Sequence, residues 1–491
     1  MITRRGFLRT GGGAALATAL AGCDRLPDFI ETAVRSPLEA TGEHHSPTDS
    51  NLDLVVHYLN RLSFGPRPGD YARVESLGET EEEAVEVWLE EQLHPERIDD
   101  SNCERILRRF ETLDDPVGEL FEYQEDLLLH ELVRSTFLRA VYSERQLFEV
   151  MALFWSDHFN IDSSKGDCQW LKTADDREVI RTHALGSFPE MLRASATSPA
   201  MLWYLDGRDN RTASPEDKPN ENYARELLEL HTLGAHGGYT QKDVMEVARC
   251  LTGWYVRSDE KFQKGKVEFK EELHDDGEKW VLGHRIPSGL GQGDLDKVLE
   301  IVSLHPSTAR FVAAKLCRRF IQDVPSDRAV EAIAQSFLSS NGDIPKTLRT
   351  LFATEEFRTR RGSKFKRPFR YLASALRATG AETDAGQPLG DYLQRMGHVP
   401  FQYPTPDGYP DEEAPWLGSL MWRWVFAKNL VGNRIEGTRI DAGKLRARIG
   451  DDEALMAHIL GRRSTIDEAY GYHSTPAGLA LMLASPAFQR C

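Results

Sequence analysis

Cysteine is scarce in this chain, with six among 491 residues, and no two of them form a C-x-x-C pair. A thiolate zinc framework and a haem-attachment site are thereby excluded. Cys103, Cys168, Cys250, Cys317 and Cys491 are widely spaced. Outside the cytoplasm they allow one disulfide, not a disulfide-stapled scaffold. Also missing are a P-loop, a dinucleotide fingerprint, H-E-x-x-H and a G-x-S-x-G elbow, which sets aside the commonest nucleotide, zinc-protease and serine-hydrolase chemistries. Long apolar runs are absent: the stretch 11–21 falls short of the roughly 20 residues a membrane-spanning helix needs. Positive charge is in deficit, with 60 basic against 77 acidic residues and a net charge of −17. Such a surface disfavours nucleic acid.

The N-terminus carries the clearest positive signal. Thr3-Arg4-Arg5-Gly6-Phe7-Leu8-Arg9 reads as a twin-arginine export signal, and Leu20-Ala21-Gly22-Cys23 as a lipoprotein box with Cys23 as the lipid acceptor. Chains on this route cross the membrane already folded, which favours a divalent metal or other cofactor inserted beforehand. Cleavage removes three arginines and no acids, so the mature charge falls near −20. Residues 24–50 are polar, with scattered Pro, Ser and Thr, and read as a flexible tether in which His44-His45 is solvated. The expected product is a body held at the periplasmic face of a membrane by a lipid anchor.

From Asn51 onward the apolar spacing turns helical. Leu52, Val55, Val56, Leu59 and Leu62 share one face before Gly65-Pro66 stops the pattern. Similar patterns fall at about 117–158, 176–186, 221–233, 240–254, 293–303, 307–321, 327–339, 344–354, 366–379, 415–431 and 475–486. Only 255–286 departs: Lys266-Val-Glu-Phe-Lys alternates, and Asp276-Gly277 reads as a hairpin turn. The expectation is a mainly α fold, residues 51–491 forming one large multi-helix domain with a short β-hairpin-like excursion.

Five groups of residues bear chemistry. In NENYARELLELHTLG, steps of about 100° place Asn222, Glu226 and Glu229 on one face beside Arg225. His231 points to the opposite, apolar side with Tyr223 and Leu227. Carboxylates three apart can bind a metal or exchange protons; they can equally stand in water, with Asn220 or Asn222 as helix cap and Gly234 as terminator. Asp157 and His158, flanked by Phe154, Trp155 and Phe159, serve as metal ligands, as an acid–base pair, or as loop-holding groups. His274 and Asp275 sit on the β excursion, where they either close over a helical site or form a polar turn. Arg358 to Arg370 gathers seven positive charges that suit an anionic partner or a solvated loop before Pro368. Pro404 to Asp411, followed by Trp416, Trp422, Arg423 and Trp424, supplies aromatics for a carbohydrate or peptide groove or for packing.

These segments carry a resemblance. HYLNRLSFGPRPGD, FWSDHFNI, NENYARELLELHTLG with the following GGYTQKDVMEVARCLTGW, HDDGEKWVLG and SPAFQR resemble the bacterial family catalogued as domain of unknown function 1800, over about 51–490. The resemblance implies an exported protein and no particular activity. It also implies a companion, since relatives often sit beside genes for a second exported family, numbered 1501, that resembles sulfatases and phosphatases. The family often has Phe-Trp-His-Asn-His-Phe where this chain has Phe154-Trp155-Ser156-Asp157-His158-Phe159, so an essential first histidine would be missing here.

Two functions follow as expectations. One is a metal-assisted hydrolase, in which His158, Glu226, Glu229, His274 and Asp275 bind the metal. Glu226, Glu229, Arg225 and His158 do the chemistry, and Arg225 or Arg249 steadies negative charge. The other is a non-catalytic assembly or binding protein, whose charges lock helices in register.

Overall fold

A computed structural model describes residues 36–38, 43–212, 217–472 and 476–491. The expected signal and Cys23, the expected lipid acceptor, lie outside the described residues. Helices dominate, and the strands among the described residues form three two-stranded antiparallel pairs. No described helix is long and apolar enough to cross a membrane.

The helix Pro368–Thr379 lies at the centre, with all twelve of its residues buried. Pro368 opens it at the first turn, where no amide donor is needed, and Gly380 closes it at φ 59°. Its two arginines answer a specific need. The helix Leu54–Leu62 ends inside the protein, where its last carbonyls lack helical partners. Arg370 donates to the carbonyls of Asn60, Arg61 (2.9 Å) and Ser63 (2.5 Å). Arg377 reaches the Gly65 carbonyl at 2.6 Å and the Asp70 carboxylate at 3.1 Å. The basic run at 358–370 is therefore turned largely inward. Lys364, Lys366, Arg367 and Arg370 are buried, Lys364 pairs with Asp323 at 2.5 Å, and Lys366 donates to Ser374 at 2.9 Å. For Lys364 to Arg370 neither an anion-receiving patch nor a solvated loop holds: buried cations need partners, and the protein supplies them.

Two helices break the α pattern. The segments Asp176–Arg181 and Leu227–Thr232 are π-helical, the widened turn that appears mostly as a local insertion. In the second, the Leu233 amide donates to Leu228 O at 2.8 Å and the Thr232 hydroxyl to Leu227 O at 2.6 Å.

The β excursion holds two hairpin-like pairs, Trp254–Val256 with Val267–Phe269 and Lys279–Val281 with His284–Ile286. The tight turn is Leu282-Gly283, both residues at positive φ (50° and 79°), as a type I′ turn requires. Asp276-Gly277 lies upstream of that pair, which corrects its assignment as the hairpin turn. The end of the expected tether is corrected as well, because residues 43–50 lie on the body. The His44 ring meets His458 at 5.3 Å and accepts from the Gly69 amide at 3.1 Å. Burial, then the charges of His458 and Arg448, push its pKa down to about 3. His45 contacts Glu75, and the Arg463 amide donates to Asp49 O at 2.7 Å. All five described cysteines are free and buried.

Candidate functional site

The aromatic segment around Asp157, the helix Pro306–Phe320 and the loop 401–412 meet at one cleft. The loop is fixed from below. Asn160 donates to the carbonyls of Tyr403 (2.9 Å) and Thr405 (2.8 Å), the Tyr204 hydroxyl to Pro404 O at 3.0 Å, and the Ser163 amide to Phe401 O at 2.8 Å. Gly408 sits at φ 75° so close to Asp157 that a Cβ there would collide with the Asp157 carbonyl oxygen. The resulting cleft, of about 190 Å³, is lined by Phe154, Asp157, Lys315, Arg318 and residues 407–412. At about 30 Å³ per water, it holds roughly six waters' worth of space.

Ion pairs saturate most of this wall. Arg367 pairs with Asp157 at 2.7 Å and stands 3.6 Å from Asp411. Arg319 holds Asp411 at 2.9 Å, and Arg318 holds Glu412 at 3.1 Å. Burial raises the Asp157 carboxyl, with Arg367 opposing. Burial also works against ionisation of Asp411, yet Arg319, Arg367 and Lys364 together hold it well below the usual carboxylate range. Lys315 is the exception. It is half-buried on the same helix, and no described carboxylate lies within 4.0 Å of its Nζ. The Phe311 ring centroid lies 5.6 Å from its Nζ. Burial pushes its pKa down to about 8, although Asp411, Asp157 and Asp407 favour its charged form. A lysine in this state is charged at neutral pH and becomes a neutral amine just above pH 8.

The sequence-expected residues distribute around this cleft and away from it. Asn220 caps its helix by accepting from the Asn222 amide at 2.9 Å. Arg225 pairs with Glu221 at 3.0 Å and with Gln241, not with the two glutamates it was expected to serve. Glu226 and Glu229 are half-exposed, and Glu229 accepts from the Tyr239 hydroxyl at 3.2 Å. Burial and the neighbouring Glu229 raise the Glu226 carboxyl, and Asp407 across the loop adds to the effect. Asp407 is thus close enough for its charge to act on both Glu226 and Lys315. His158 is buried; its Nε2 bonds the His231 carbonyl at 3.1 Å, and its ring packs on Trp155, Phe159 and Phe188. His231 is wholly buried, with its ring centroid 6.3 Å from that of His158. Burial, reinforced by the Lys315 charge, keeps both imidazoles neutral: His158 well below its ordinary value and His231 down to about 3.

Residues 57–490 match the family model described as a protein of unknown function (DUF1800). The chain belongs to that family. No curated protein and no solved structure matches it. The matched span takes in every wall of the cleft, from Phe154 to Glu412.

His274 and Asp275 belong to a second cluster. His274 Nε2 meets Asp294 at 3.2 Å and Nδ1 meets Thr252 O at 2.9 Å, while Lys279 Nζ lies 2.5 Å from the same Asp294. Asp275 takes two bonds from Arg249, at 2.7 and 3.0 Å, which hold its carboxyl below the ordinary value. Arg249 also holds Glu246 at 2.9 Å. This cluster is closed and fastens the β excursion to the helices Gln241–Cys250 and Gly293–Ser303. The expectation that His158, Glu226, Glu229, His274 and Asp275 share one metal site is corrected by this division. Among the described residues no three His, Cys, Asp or Glu side chains come together as metal ligands. Lys315 lies outside the sequence-expected residues; its one signal is a lone lysine in the otherwise apolar run Val312-Ala-Ala-Lys-Leu316.

Proposed function

We propose that the protein is a lipid-anchored envelope protein that binds a small ligand in this cleft, with Lys315 pairing to a carboxylate or phosphate oxygen and Asp407 facing it. The observation that carries this reading is the unpaired state of Lys315 in a wall where Arg318, Arg319 and Arg367 each have a carboxylate. A half-buried amine beside a cleft of about 190 Å³ can take a small carboxylate or phosphate from solvent as its charge partner. The remaining motif charges support a binding rather than a catalytic role. Asp157, His158, His274 and Asp275 all hold neighbouring segments in place. A metal-assisted hydrolase built on the five expected ligands has no common site on which to act.

A second reading keeps an enzyme, because an amine with a pKa near 8 is also a competent general base or nucleophile. Thermal-shift titration of the protein with a panel of small carboxylates and phosphates separates these. Saturable stabilisation by an unchanged ligand, lost in Lys315→Met, supports binding. A ligand consumed by the wild type but not by the variant supports the enzyme. Stabilisation that survives Lys315→Met removes Lys315 from both. Anchoring is checked on its own by comparing membrane fractionation of the wild type with Cys23→Ala.

A further inference from the structure

The helix Leu420–Val431 and the 3-10 turn Ala414–Ser419 before it leave an apolar face uncovered. Leu417 (46% exposed), Leu420 (38%), Met421 (63%) and Trp424 (53%) follow the i, i+3, i+4, i+7 spacing of one helical stripe. Exposed Lys428 continues the stripe, and exposed Arg395 lies 4.5 Å from the Trp422 ring beside it. The stretch Ala414 to Arg434 contains no acidic residue in a chain whose net charge is −17. An apolar stripe with Trp, Leu and Met, basic residues at its edge and no carboxylates is the pattern of a helix lying in a membrane interface.

The position of the N-terminal segment fits the same occupant. Leu38 packs against Gly380. Two residues on, Glu382–Thr383 pairs with Thr438–Arg439, just beyond the exposed helix. The chain from Cys23 to Ser36 spans at most about 45 Å when extended, so an acyl group on Cys23 keeps this side of the body near the bilayer.

We infer that this face is a membrane-docking surface that rests on the headgroup–acyl boundary of a phospholipid bilayer, with Met421 and Trp424 inserted and Lys428 and Arg395 at the phosphates. The inference rests on the anchored reading only for proximity, so the test uses full-length Cys23→Ala protein, which carries no acyl group. Its partitioning is measured onto vesicles of phosphatidylcholine and phosphatidylglycerol, with and without brominated acyl chains. The expected results are binding that falls about tenfold or more in Met421→Glu/Trp424→Glu, and bromolipid quenching that Trp424→Phe loses while it still binds. Unchanged circular dichroism verifies that the variants fold. Binding indifferent to the double substitution, or no quenching from Trp424, overturns the proposal. Self-association abolished by the double substitution, without vesicle binding, also overturns it and gives the face to a second copy of the chain. Failure of Cys23 to be acylated in cells is a separate result that leaves the vesicle measurement standing.

Discussion

Replacing Lys315 with Met should make the protein more stable, an unusual direction for a substitution in a wall of ion pairs. Folding lowers the pKa of this amine from 10.5 to about 8. Each unit is worth about 1.4 kcal/mol, so its charged form costs about 3 kcal/mol in the folded state. Methionine matches the stem of the lysine, and no hydrogen bond is sacrificed. The sign follows from proton uptake. Between pH 8 and about 10.5 the unfolded chain binds the proton and the folded one does not, so wild-type stability rises with pH across that window. The gain from Lys315→Met is therefore full below pH 8 and fades to nothing above about 10.5. With an unfolding entropy near 2.1 cal/mol/K per residue, a chain of this size gains about 3 °C in melting midpoint at pH 7. Scanning calorimetry at pH 7 and pH 10 measures it. A variant less stable than wild type at pH 7, or a gain unchanged at pH 10, refutes the reasoning.

Other substitutions should do the reverse. Arg367→Met strands Asp157 and weakens the hold on Asp411, at a cost of about 3–5 kcal/mol. Asp157→Asn in that background should recover part of the loss in urea titrations. Asp294→Asn removes the carboxylate that both Lys279 and His274 face, and should cost a similar amount. It should raise protease cleavage within 255–286 before the rest of the chain opens. Thiol titration should find none of the five described cysteines reactive in the native state. Denatured protein from the membrane should yield five thiols if Cys23 is acylated and six if it is not.

Much of the fold was legible because helical spacing is a local property. The pattern placed helices at 293–303, 327–339 and 344–354, against the observed Gly293–Ser303, Asp327–Ser339 and Ile344–Ala353. It also put His231 on the apolar side of its helix, where it is fully buried. What failed was partner choice, which depends on tertiary distance. The charges at 358–370 looked like a surface patch because nothing in sequence reveals that the carbonyls at 60–63 need donors from Arg370. Likewise residue type alone let His274 be grouped with Glu226 and Glu229, yet it lies with Asp294 in a separate cluster. Asp276-Gly277 has the composition of a hairpin turn, but the strand register selects Leu282-Gly283. Lys315 escaped attention because an unpaired lysine is defined by its surroundings, not by its neighbours in the chain.

The central claim is that Lys315 is an unpaired amine held in a cleft, and trace acylation across pH tests it most directly. Wild-type protein is treated with a substoichiometric acylating reagent from pH 6 to 11, and each lysine is quantified by peptide mass spectrometry. The account predicts that Lys315 reaches half-maximal reactivity near pH 8, well below ordinary exposed lysines near 10.4. It also predicts that the ligand found by thermal shift protects Lys315 alone. Half-maximal reactivity with the other lysines near pH 10, or reactivity unaffected by that ligand, would contradict it.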